Sequence, residues 1–86
     1  MHSDTITVRF FARLREELET ETLEMPARPE LTAGDLLEEL AGRGGAWSQL
    51  NGEQPVMVAV NQAIAKPSTG IKAGDEVAFF PPVTGG

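Results

Sequence analysis

Few side chains in this 86-residue chain could begin covalent chemistry. Cysteine and tyrosine are absent and the one histidine is His2, so catalytic triads, thiol nucleophiles and thiolate or histidine metal sites have nothing to be built from. Carboxylates are plentiful, but Glu16, Glu17, Glu19, Glu21 and Glu24 lie in a mixed-charge stretch with the spacing of a solvated face. No side-chain catalysis and no resident metal or cofactor are expected. The reactive group that remains is the α-carboxylate of Gly86.

That carboxylate closes the run Pro81-Pro82-Val83-Thr84-Gly85-Gly86. The two prolines fix φ and lack N–H donors, so they end strand pairing and favour an extended, semi-rigid path. Residues 81–86 reach at most ~20 Å, enough to enter a neighbouring protein. Gly85 and Gly86 carry no side chain and pass through a channel too narrow for a β-carbon. A carboxylate is inert to nucleophiles at neutral pH because its charge repels them and oxide is a poor leaving group. Adenylation from outside turns one of its oxygens into part of a good leaving group. A sulfur donor then yields a thiocarboxylate, and a lysine amine yields an isopeptide. Both routes put the catalytic machinery on partner enzymes.

Holding such a tail requires a folded body. Ile6, Val8 and Phe10 alternate with Thr5, Thr7 and Arg9, the period of a half-buried strand. Residues 12–19 read as a short helix, with Leu14 and Leu18 on one side and Arg13–Glu17 and Arg15–Glu19 spaced for pairing. A second strand is predicted over residues 21–25, stopped by Pro26 and Pro29. Thr32 and Asp35 form a capping box and Leu31 and Leu36 a hydrophobic staple, so a helix begins there. Its apolar stripe is Leu36, Leu37, Leu40 and Ala41, and Gly42, Gly44 and Gly45 are stop signals. A helical turn at residues 46–50 is expected to anchor Trp47 on the core.

Residues 56–60 and 63–65 read as a hairpin about Asn61-Gln62, and Gly74-Asp75 turns into a last strand over residues 76–80. The order β, α, β, α, β, β, β is an α+β layout, the ubiquitin-like β-grasp: a small mixed sheet with one main helix across one face. A β-grasp domain over residues 1–80 followed by the tail over 81–86 is the expected organisation.

The helix covers one sheet face only. If Val8, Phe10, Val58, Val77 and Phe79 point at it, then Phe11 and Phe80, joined by Ile64, point away. Unless the first helix or residues 41–54 fold over them, these three form a contact patch for another protein. A net charge of −6 repels phosphate backbones and disfavours nucleic acid, and no apolar run approaches bilayer length. A cytoplasmic protein without membrane attachment is expected.

The runs Val8-Arg9-Phe10-Phe11-Ala12-Arg13-Leu14-Arg15-Glu16, Val60-Asn61-Gln62 and Gly74-Asp75-Glu76-Val77-Ala78-Phe79-Phe80-Pro81-Pro82-Val83-Thr84-Gly85-Gly86 resemble the MoaD/ThiS sulfur-carrier family, and within it the MoaD-type small subunits of molybdopterin synthase. The resemblance implies that Gly86 is adenylated by a MoeB-type enzyme using ATP and Mg²⁺ and becomes a thiocarboxylate with sulfur from a sulfurtransferase. It implies delivery of that sulfur to cyclic pyranopterin monophosphate inside a MoaE-type large subunit, which carries the catalytic residues, within a heterotetramer. Pro81, Pro82, Val83, Thr84 and Gly85 would thread the channel, and Phe11, Ile64 and Phe80 would pack on the large subunit. The alternatives are a ThiS-type carrier serving thiazole synthesis or tRNA thiolation, and a ubiquitin-like modifier conjugated through Gly86.

Overall fold

The computed structural model describes residues 4–52 and 56–82. The alternating apolar residues of the first run form β1 (Thr5–Phe10), whose Ile6, Val8 and Phe10 are fully buried. The short helix α1 (Ala12–Leu18) follows and sends Leu14 and Leu18 into the same core. Arg13 pairs with Glu17 at 3.8 Å. The Arg15–Glu19 spacing is lost because Glu19 takes a left-handed conformation, φ 53°, and ends the helix.

The edge strand β2 is Thr22–Pro26, antiparallel to β1 with Thr22 opposite Arg9 and Pro26 opposite Thr5. It runs one residue further than expected, since proline is tolerated on an edge strand. The predicted capping box is present at the start of α2 (Ala33–Ala41). The Asp35 N–H donates to Thr32 Oγ1 at 3.1 Å, and the Thr32 N–H to Asp35 Oδ2 at 3.3 Å. The staple residues Leu31 and Leu36 are buried, as are Leu40 and Ala41. Gly42 caps α2 in ordinary helical geometry, and the chain reverses only at Gly44, whose φ of 80° favours glycine.

A 3-10 helix, Gly45–Asn51, then sets Trp47 edge-to-face on Phe10 at 5.4 Å between ring centroids. The strands β3 (Met57–Val60) and β4 (Ala63–Ile64) turn about Asn61 and Gln62, with φ of 50° and 70°. Both central residues at positive φ match the right-handed twist of the strands. Asn61 also ties this turn to the next strand: its Nδ2 donates to Asp75 Oδ1, and the Glu76 N–H donates to its Oδ1, each at 3.0 Å.

The last strand, β5 (Glu76–Phe80), fills the middle of a five-stranded sheet ordered β2-β1-β5-β3-β4. It runs parallel to β1 and antiparallel to β3. Val8, Phe10, Val58, Val77 and Phe79 all face the helices and are buried, as the alternation predicts. Both helices and the 3-10 segment contribute to that one core, through Leu14, Leu36, Leu40 and Leu50. None of them crosses to the other sheet face, so the sheet is mixed and one-sided, the β-grasp arrangement. Among the described residues, no helix is long and apolar enough to cross a membrane.

Candidate functional site

The uncovered sheet face follows directly from the register. One row crosses all five strands: Thr22, Arg9, Ala78, Ala59 and Ile64 lie side by side. With strands ~4.8 Å apart, this row spans about 19 Å. A second row lies nearer the C-terminal ends of β1 and β5, where Phe80 pairs with Met57. The Phe11 N–H donates to the Phe79 carbonyl at 3.2 Å, which sets Phe11 beside Phe80 on this row. On the other side of the first row, Glu24 and Glu76 flank Thr7. The face is therefore apolar toward the end of β5 and acidic away from it.

The expected patch residues come together here. Ile64 is 69% exposed and Phe11 39% exposed, whereas Phe80 is half-buried between its row neighbours. Phe11 reaches this face because the strand alternation continues one residue past Phe10. Ala12 then enters the left-handed region at φ 55° and turns the chain into α1. That conformation costs an alanine about 1 kcal/mol, which the surrounding packing offsets.

Met57, Ala59 and Ala78 lie on the same sheet face, Ala59 buried among its neighbours and Met57 and Ala78 half-buried, and the sequence reading does not single them out. Met57 and Ala59 lie within a continuous apolar run that reads as core on both sides. Counting alternation from Phe79 through its partner Val58 would have turned them outward.

Among the described residues of the five strands, Arg9 is the one cation, and it stands beside the apolar Ala78. Its Nη1 donates to Glu76 Oε2 at 3.3 Å, and its guanidinium carbon stands 5.3 Å from the centre of the Phe11 ring. Arginine on an aromatic face is attractive through the ring quadrupole, so Arg9 braces the exposed ring while Glu76 holds Arg9.

Pro81 and Pro82 follow β5 and are half-buried. Because β1 and β5 are parallel, the chain leaves the sheet at the end where Phe11, Phe80 and Met57 stand. Val83, Thr84, Gly85 and Gly86, expected to thread a partner's channel and carry the chemistry, lie outside the described residues.

Comparisons with known proteins agree with this architecture. The model of the ThiS family matches residues 8–86. A molybdopterin synthase sulfur carrier subunit from Escherichia coli is 39% identical over 82 residues, covering 94% of this chain and 99% of that protein. The protein of the same description from Haemophilus influenzae is 37% identical over 81 residues, again covering 94% of this chain and 99% of its own. Among solved structures, SAMP1 from Haloferax volcanii, a small archaeal modifier protein, superposes with a TM-score of 0.78 at 32% identity, covering 95% of this chain and 99% of that one.

Proposed function

The chain belongs to the ThiS family, and from that premise we propose that it is the sulfur-carrier small subunit of a molybdopterin synthase. The observation that carries the reading is the one-sided sheet: an apolar face left open at the end where the chain departs toward Gly86. Its relatives from two bacteria carry the same description over nearly their whole length.

In this reading residues 1–80 are the docking body and residues 81–86 the working arm. The Gly86 carboxylate attacks the α-phosphorus of ATP on a MoeB-type enzyme with Mg²⁺, pyrophosphate leaves, and an acyl adenylate results. The terminal sulfur of a sulfurtransferase persulfide attacks the acyl carbon, AMP leaves, and a thiol cleaves the resulting acyl disulfide, itself becoming oxidised to a disulfide, to leave a thiocarboxylate. Phe11, Ile64 and Phe80 then seat the body on a MoaE-type large subunit. Pro81 and Pro82 stiffen the arm, which lowers the entropy lost on insertion, and Val83, Thr84 and Gly85 line it into the channel. Sulfur passes to cyclic pyranopterin monophosphate, twice per dithiolene. The large subunit supplies the catalytic side chains, and two carriers flank a large-subunit dimer. ATP and Mg²⁺ belong to the activating enzyme, in the cytoplasm.

Intact-mass measurement tests this. After incubation with the activating enzyme, ATP, Mg²⁺ and a sulfur source, the chain should gain the mass difference of one sulfur for one oxygen. Deleting Gly86 should abolish the gain and leave large-subunit binding intact. An unchanged mass for the full chain would end the carrier reading. The likeness to SAMP1 favours a second reading, conjugation of Gly86 to lysines. It would appear in the same reaction, with target proteins added, as an isopeptide-linked product.

A further inference from the structure

We propose that Arg9 is a specificity residue of the docking face, and that the surface covering Phe11, Phe80 and Ile64 presents a carboxylate to it. The inference rests on the large-subunit reading above and names the chemistry that partner must carry. Arg9 occupies the second place of the first row, between Thr22 and the central Ala78, on the face that docking would cover. Its side chain is 39% exposed and that of Glu76 34% exposed. A partner seated on the apolar rows therefore removes water from both.

Guanidinium has five N–H donors. Glu76 accepts from Nη1 of Arg9, and the Phe11 ring stands beside the guanidinium without accepting a conventional hydrogen bond. Among the described residues no other hydrogen bond of the guanidinium is seen, and at 39% exposure its remaining donors are open to solvent while the face is uncovered. Covering them with a purely apolar surface would strip that water and give nothing back, a cost that rises steeply in a dry interface. Covering them with a carboxylate turns the same donors into charge-assisted, often bidentate bonds. The geometry is prepared for this, because Glu76 and Phe11 already fix the guanidinium and little side-chain entropy is left to lose. A wrong partner with an apolar or basic patch at this position is rejected by the cation it must bury.

The two possibilities give opposite signs for Arg9→Leu made in a Glu76→Gln background and compared with Glu76→Gln alone: no carboxylate of this chain is then left unpaired under the partner, and the leucine keeps the stem's bulk and makes the face more apolar. With a carboxylate opposite, the variant should bind the large subunit roughly 30-fold or more weaker, since the partner's charge is left buried and unpaired. With an apolar surface opposite, it should bind equally well or tighter, and that result overturns the proposal. Loss of support for the Phe11 ring could also weaken binding, so the salt dependence of Kd is measured for both proteins. Pairing across the interface makes the variant less salt-sensitive than its Glu76→Gln parent, and unchanged salt dependence likewise overturns the proposal. A melting curve establishes that the variant is folded. Phe80→Asp separates the two claims: if it leaves binding unchanged, the docking face itself is wrong, and if it abolishes binding while Arg9→Leu does not weaken it, only the carboxylate is wrong.

Discussion

Truncating Ile64 to alanine should weaken docking without touching the fold. Ile64 lies on the two-residue β4, both of whose residues are exposed, and 69% of its surface is open to solvent. Burying a whole aliphatic side chain of this size contributes about 1.5–3 kcal/mol. About two thirds remains to be gained at an interface, and alanine keeps only the Cβ, so the loss comes to roughly 1–1.5 kcal/mol. That is a rise in Kd of roughly 5- to 12-fold. Stability should stay within about 0.5 kcal/mol, because nothing buried is removed. Calorimetric titration against the large subunit gives the first number. Thermal melting followed by Trp47, whose ring meets the buried Phe10, gives the second. An unchanged Kd with an unchanged melt would show that partners use another surface, and the reading of the open face would fall.

Two further substitutions probe how the body is held. Thr32→Ala removes the side-chain acceptor for the Asp35 N–H at the start of α2 and should cost about 1 kcal/mol in urea unfolding. Glu19→Gly places the residue best suited to a φ of 53° at the end of α1 and should raise stability by about 0.5 kcal/mol; a lowered midpoint would mean that Glu19 makes contacts worth more than its backbone strain.

The elements of the fold were legible wherever the signal was local. The capping box of Thr32 and Asp35, the alternation of Ile6, Val8 and Phe10, and the turn at Asn61-Gln62 each depend on residues within a few positions of one another. What the residues could not show is the order of the strands. That β5 enters between β1 and β3 rests on pairings such as Val8 with Val77, between residues far apart in the chain. For the same reason Arg9 read only as a polar residue of β1, because Glu76 meets it solely through the parallel pairing. Phe11, Ile64 and Phe80 follow from parity along the strands, and the family resemblance points to the same three residues. Met57 and Ala59 escaped because, in an unbroken apolar run, composition does not distinguish one face from the other.

The parallel pairing of β1 with β5 also explains how a chain with so few reactive side chains can be specific. Phe80 is at once the last residue of the ladder and a member of the apolar row, so whatever docks on that row fixes the point from which Pro81 departs. Delivery of the arm then becomes an intramolecular event, with an effective concentration set by the short span of residues 81–86 rather than by the solution. In the proposed reading, affinity and chemistry are thereby divided between the open sheet face and the arm that leaves β5. If the carrier reading holds, changes at Phe11, Ile64 or Arg9 should act on how much large subunit is needed for half-maximal sulfur transfer, while changes at Gly85 or Gly86 should act on the rate once the complex is saturated. A substitution at Ile64 that slowed transfer even at saturating large subunit would contradict that division, because docking would then be shaping the reacting end and not merely presenting it.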